Sequence, residues 1–175
     1  MVNSVIKNLT ERRSIRSFQQ NRPVESEKLA EILRAGTYAP TGMGKQSPII
    51  VVLQSESEKS TIRKMNAQIM GTPDRDPFYG APTIVVVLAD KNVRTAVEDG
   101  SLVLGNMMNA AYALGVDSCW IHRAREEFES EEGQRLLEKW GISADYIGVG
   151  HLALGYRDCE YPTPRQRKKD YIHIV

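Results

Sequence analysis

The sequence predicts an α+β fold. Two observations carry that prediction: helical periodicities and short apolar runs are interspersed along the whole chain, and the helical patterns are long relative to the strand patterns. A third bounds it. At 175 residues, with 41% hydrophobic and 26% charged positions, the chain has the composition of an ordinary globular protein. Disorder, a collagen-like repeat and a coiled coil are excluded, and one domain over residues 1–175 is expected.

The elements follow in order. Residues 3–10 read as a short helix, capped by Asn3 or Ser4, with Val5, Ile6 and Leu9 on one face. A polar stretch from Arg12 to Phe18 follows. Residues 26–36 form a second helix, with Leu29, Ile32 and Leu33 as its stripe and Gly36 near its end. Two prolines and two glycines between Ala39 and Pro48 mark a loop. It leads into a continuous apolar strand, Ile49–Leu53, of the kind covered on both faces. Residues 56–70 read as a mostly polar helix. Gly71–Pro82, rich in Pro, Gly and Asp, reads as a surface loop or lid, and Thr83–Ala89 as a second buried strand.

Residues 93–114 carry apolar side chains on several faces, from Val97 through Leu102 and Met107 to Leu114. A helix of that kind must be buried on several faces, as a central helix or against another subunit. Val116–Ile121 is the third strand, residues 130–139 a helix capped by Ser130, and Tyr146–Tyr156 the fourth strand. The tail Pro162–Lys169 is basic, and Tyr171–Val175 reads as a last short strand.

Lys+Arg 23 against Asp+Glu 22 leaves a net charge of +1, so no bulk field points to nucleic acid or an anionic membrane. Cys119 and Cys159 are too few for a disulfide scaffold or a four-cysteine metal site. The N-terminus lacks a signal-peptide apolar region, and no apolar run approaches the ~20 residues that span a bilayer. A reduced, cytoplasmic protein is expected.

Two motifs tempt and fail. Gly148-x-Gly150-x-x-Ala153 matches a dinucleotide fingerprint, but it lies inside a strand pattern and no helix follows it. Small residues in a closely packed strand explain it. Cys119-x-x-His122 is half a metal site, and His151, His173 and Cys159 supply no paired spacing to complete it. No metal is expected.

Three segments suit an anion or a planar polar ligand. In an extended stretch Arg12, Ser14 and Arg16 point to one side, and two guanidinium forks with a hydroxyl suit a phosphate dianion. The plain alternative is a solvated basic patch. Loop 40–46 lets backbone approach a ligand closely, with Thr41 and Gln46 as polar groups. The tail Arg165-Gln166-Arg167-Lys168-Lys169 adds a basic run, alternatively a free terminus.

Taken in order, R-R-S-I-R-x-F after a helix, A-P-T-G-M-G-K-Q-S-P, G-A-P before a strand, L-G-V-D-S-C-W-I, G-x-L-A-L-G-Y and the basic tail resemble the nitroreductase family of FMN-dependent oxidoreductases. The resemblance covers nearly the whole chain. It implies a nitroreductase-like α+β fold, mainly antiparallel in its central sheet and flanked by helices, in an intertwined homodimer with FMN at the interface. It implies that Arg12, Arg13, Ser14 and Arg16 hold the FMN phosphate and the pyrimidine side. Arg165 and Arg167 would complete the phosphate site. Pro40, Thr41, Gly42 and Gly44 would come from the other subunit. Trp120, Ile121, His122 and Arg123 would lie near flavin N5, and Asn66 would touch the pyrimidine ring. Phe78 and Tyr79 would set acceptor preference. The implied activity is ping-pong reduction of a nitroaromatic, a quinone or a similar small acceptor by NAD(P)H. A same-fold reductase of an enone or a halogenated acceptor, and a low-turnover flavin-binding dimer, stand as alternatives.

Overall fold

Strand alternation divides the core in two. Successive strand residues point to opposite faces. In β2 (Thr83–Asp90), Ile84, Val86 and Leu88 enter one apolar cluster, and Val85, Val87 and Ala89 enter another. The structure, a computed structural model, describes residues 3–175. Its sheet adds β1 (Pro48–Leu53), β3 (Asp117–Ile121) and β4 (Tyr146–Gly155) in the order β1-β2-β4-β3, and every pairing is antiparallel.

Helices cover both faces. Ile32 of α2 (Ser26–Thr37) and Val103, Leu104, Met107 and Ala111 of α4 (Ala96–Ala113) fill the cluster on one side. On the other side lie α3 (Glu56–Ile69), α5 (Ala124–Glu129) and α6 (Glu131–Lys139), which contribute Ile62, Met65, Phe128 and Leu137. The N-terminal α1 (Ser4–Glu11) buries none of its residues. Its apolar stripe Val5, Ile6 and Leu9 stays exposed, as do Val97 and Leu102 of α4. The many-sided burial expected of α4 is therefore incomplete within one chain. Among the described residues no helix is long and apolar enough to cross a membrane.

β4 is where the sheet is tightest. Val87 pairs with Gly150 and Leu88 with Gly148, so Val149 is an extra, bulged residue. A Cβ on Gly148 would stand 2.1 Å from the Ala124 carbonyl oxygen, and one on Gly150 would stand 2.7 Å from Trp120 Nε1. Both glycines lie within the strand, where close packing of α5 and of the indole accounts for them.

Two expectations are corrected. The sequence reading missed α5, whose six residues AREEFE have no length for a periodic stripe; burial of Ala124 and Phe128 holds it. The strand expected over Tyr171–Val175 is absent: a 3-10 turn spans Lys169–Tyr171, and Ile172 and Ile174 are exposed. On the outer side of β3 the Ser118 carbonyl already accepts the Ile15 N–H at 3.0 Å, and at the other edge β1 pairs with β2 alone, so the tail joins neither edge of this chain's sheet.

Replacing Gly148 by Ala drives a methyl into the α5 backbone. An unfolding free energy lower by about 1–3 kcal/mol is expected, read as an earlier urea midpoint with unchanged slope.

Candidate functional site

The site begins with one buried isoleucine. Ile15 has no exposed surface. Ser14 forms a parallel bridge to Ser118, and further on Phe18 bridges Arg157. With Ile15 inward, Arg12, Ser14 and Arg16 fall on the opposite side of the segment, Arg12 and Ser14 half-buried and Arg16 exposed. All three act on the buried Cys119 of β3: burial pushes its thiol up, and Arg16, Ser14 and Arg12 pull it part-way back. Arg12 Nη1 is buried and has no hydrogen-bond partner. Among the described residues no carboxylate pairs with Arg12 or Arg16. Unpaired neighbouring cations of this kind are set up for an anion.

Arg13 does not join them. Its Nη1 turns back onto α1 and donates to the Thr10 and Arg12 carbonyls, each at 2.8 Å, while its backbone N–H donates to Tyr161 Oη at 2.9 Å and its Nε is buried without a partner. Arg165 and Arg167 lie on the exposed tail and make no hydrogen bond or ion pair among the described residues.

β3 ends in the second part of the site. Ile121 is buried, Trp120 and Arg123 are half-buried and His122 is exposed. Arg123 takes a left-handed φ of 77°, which L side chains avoid. Neither the His122 nor the Arg123 N–H has an intrachain acceptor among the described residues. Asn66 lies beneath this turn. Its Nδ2 donates to the His122 carbonyl at 2.8 Å, and its Oδ1 accepts from Arg123 Nε at 3.0 Å. The Asn66 side chain is fully buried with its amide used inside the chain, which corrects the expectation that it touches a ligand ring directly. Glu127 and His151 complete the cluster. Their signal in the sequence is a lone imidazole in an otherwise apolar strand.

The third part is the loop after α2. The Gly42 N–H donates to Asp99 Oδ1 at 2.9 Å, and a Cβ there would stand 2.3 Å from Thr95 Oγ1, so the loop is pinned to the start of α4. Thr41 Oγ1 accepts the Gln46 N–H at 3.1 Å. Met43, Gly44 and Gln46 all have positive φ, and Pro40 and Gly44 are exposed. A cleft of about 310 Å³ opens beside the loop, lined by Thr41, Gln46, Pro48 and Val103 among others.

Phe78 is also corrected. It is fully buried, edge-on to His151 at 5.3 Å between ring centroids. Asp76 fixes the segment by accepting the Phe78 and Gly80 N–H groups at 2.9 and 2.7 Å. Residues 76–82, the second half of the loop expected over Gly71–Pro82, are therefore an anchored turn. Tyr79 is half-buried against the same core. Among the described residues no group of three or more His, Cys, Asp or Glu side chains could hold a metal ion.

The family model of the Nitroreductase family matches residues 9–156, spanning all three parts. The chain belongs to the nitroreductase family. It is 34% identical to an FMN reductase [NAD(P)H] of Bacillus subtilis (strain 168), over 96% of this chain and 70% of that one. It superposes on a nitroreductase with bound FMN from Bacteroides fragilis NCTC 9343 with a TM-score of 0.89 and 25% identity, covering 99% of this chain and 100% of that one. A nitroreductase with bound FMN from Desulfitobacterium hafniense DCB-2 gives a TM-score of 0.87 and 25% identity, both chains being covered in full. The four-stranded antiparallel sheet and its flanking helices are thus this chain's version of a nitroreductase fold.

Cys119 and Cys159 are both free, the first buried and the second exposed. In the folded nitroreductase chain a disulfide reagent at neutral pH titrates one thiol rapidly. The second reacts only on unfolding, because a buried, raised-pKa thiol has little thiolate.

Proposed function

We propose that this chain is an FMN-dependent NAD(P)H oxidoreductase: one domain, working as a homodimer, reducing a small acceptor of the nitroaromatic or quinone kind. The observation that carries this reading is the set of Arg12, Ser14 and Arg16 gathered without a carboxylate, with Arg12 Nη1 buried and unpartnered. A phosphate monoester fits that donor set. Two guanidiniums supply charge and paired N–H groups, and the hydroxyl supplies a further donor. The name of the Bacillus subtilis relative and the FMN held by the two structural neighbours support the same ligand.

In this reading Arg12, Ser14 and Arg16 hold the phosphate and the pyrimidine side, where the Arg16 cation is preorganised against developing negative charge. The free N–H groups of His122 and Arg123, at the end of β3 after Trp120 and Ile121, meet the reactive edge. Pro40, Thr41, Gly42 and Gly44 come from the second copy. Arg165 and Arg167 of the tail close over the phosphate. The exposed stripes of α1 and α4 and the tail's Ile172, Ile174 and Val175 support a homodimer, since each leaves apolar surface for a second copy to bury. FMN held there would supply the redox chemistry between NAD(P)H and the acceptor. The protein then needs no nucleophile of its own. Donor and acceptor use one open face in turn, which is ping-pong kinetics. Two free thiols support a reducing, cytoplasmic setting.

The purified protein is expected to be yellow, to elute at twice the chain mass of 19.7 kDa, and to bleach anaerobically with NADH or NADPH. Double-reciprocal plots against a quinone should be parallel. Joint Arg12→Ala and Ser14→Ala replacement removes two charge-assisted contacts. It should weaken FMN binding about 10²–10⁴-fold by fluorescence titration. A colourless wild-type protein that quenches no added FMN fluorescence overturns the reading.

A further inference from the structure

A fully buried polar chain runs beneath the His122–Arg123 turn, and the proposed function uses none of its members. Asn66 on α3, Glu127 on α5 and His151 on β4 have no exposed surface. Their links run toward the turn. His151 Nε2 lies 2.8 Å from Glu127 Oε2 in a close polar contact that lacks hydrogen-bond geometry. Glu127 Oε1 accepts from Asn66 Nδ2. The same nitrogen donates to the His122 carbonyl at 2.8 Å, and Asn66 Oδ1 accepts from Arg123 Nε at 3.0 Å. The Phe78 ring stands edge-on to the imidazole and helps to enclose it.

The amide can sit only one way round. A carboxylate and a carbonyl are acceptors only, so they face Nδ2; a guanidinium is a donor only, so it faces Oδ1. Glu127 thus sets the orientation of Asn66, and His151 packs beside the other oxygen of its carboxyl group. Asn66 in turn grips the peptide before Arg123 and the Arg123 side chain. From α5, the Glu127 N–H donates to the Arg123 carbonyl at 3.0 Å. Arg123 holds a φ of 77°. A non-glycine residue stays in that region only where its surroundings over-determine it. A buried polar cluster contributes little net stability compared with apolar packing of the same volume, so filling space does not account for the arrangement. Two hydrogen bonds converging on one strained turn do.

We propose that Asn66, Glu127 and His151 are positioning residues that lock the left-handed turn at Arg123, and with it the uncommitted N–H groups of His122 and Arg123. What those donors meet rests on the proposed function. The lock itself rests on this chain alone.

The test uses the full chain, with folding checked by far-ultraviolet circular dichroism. In FMN-free protein, Asn66→Ala should shift the His122 and Arg123 amide signals in a ¹⁵N–¹H spectrum and speed their solvent exchange at least about tenfold. With FMN, its NADPH-driven bleaching should slow at least about tenfold while FMN affinity changes less than about threefold, since the phosphate cradle is untouched. Adding Arg123→Gly should restore the bleaching rate to within about threefold, because glycine takes a left-handed φ freely. Glu127→Gln, which keeps an acceptor toward Asn66, should do less than Asn66→Ala. If Asn66→Ala does not fold, Glu127→Ala, which frees the amide to rotate, replaces it in every arm. Unshifted amides, or a lesion that Arg123→Gly does not relieve, overturn the lock. A wild-type protein that binds no FMN overturns the proposed function instead, and the amide arm still judges the lock.

Discussion

The site depends on the burial of Ile15 against the outer edge of β3. Once that side chain is inward and its N–H is bonded to the Ser118 carbonyl, alternation leaves Arg12, Ser14 and Arg16 no choice of side. The charges are then brought close by a hydrophobic contact and a backbone bond, not by attraction, since like charges repel. Such a cluster is useful only to a partner carrying negative charge. The two core clusters hold the sheet in place from both faces and make that geometry rigid.

The same sheet sets the other half of the site. β4 approaches α5 and Trp120 so closely that glycine alone fits at Gly148 and Gly150. That closeness brings His151 of β4 against Glu127 of α5, and from there hydrogen bonds reach Asn66 and the turn after β3. A glycine pair that resembles a nucleotide fingerprint in one dimension is, in three, a packing device that seats a polar network beneath the turn.

The corrections share a cause. Asn66 and Phe78 carry side chains whose chemistry suits a ligand, and each is engaged inside the chain, Asn66 by the turn and Phe78 by the core; Arg13 is engaged through Nη1 at the end of α1, while its Nε has no partner. Residue type reports what a group can do, while burial and partners decide whether it is free to do it. The tail tells the reverse story. Its apolar alternation suits a strand, but its residues stay exposed and pair with no strand of this chain.

What the sequence determined by itself is whatever follows from local periodicity and order. The four strands and five of the six helices were legible because each has a run long enough to show its period; Asn66 and His122 were named but their meeting was not. The six ordered motifs carried the family resemblance, and the family model matches residues 9–156. The tertiary structure alone decided which polar groups stay uncommitted. Hydrogen bonds such as Asn66 to His122, 56 residues apart in sequence, leave no periodic trace, because a long-range contact fixes positions in space and not intervals along the chain.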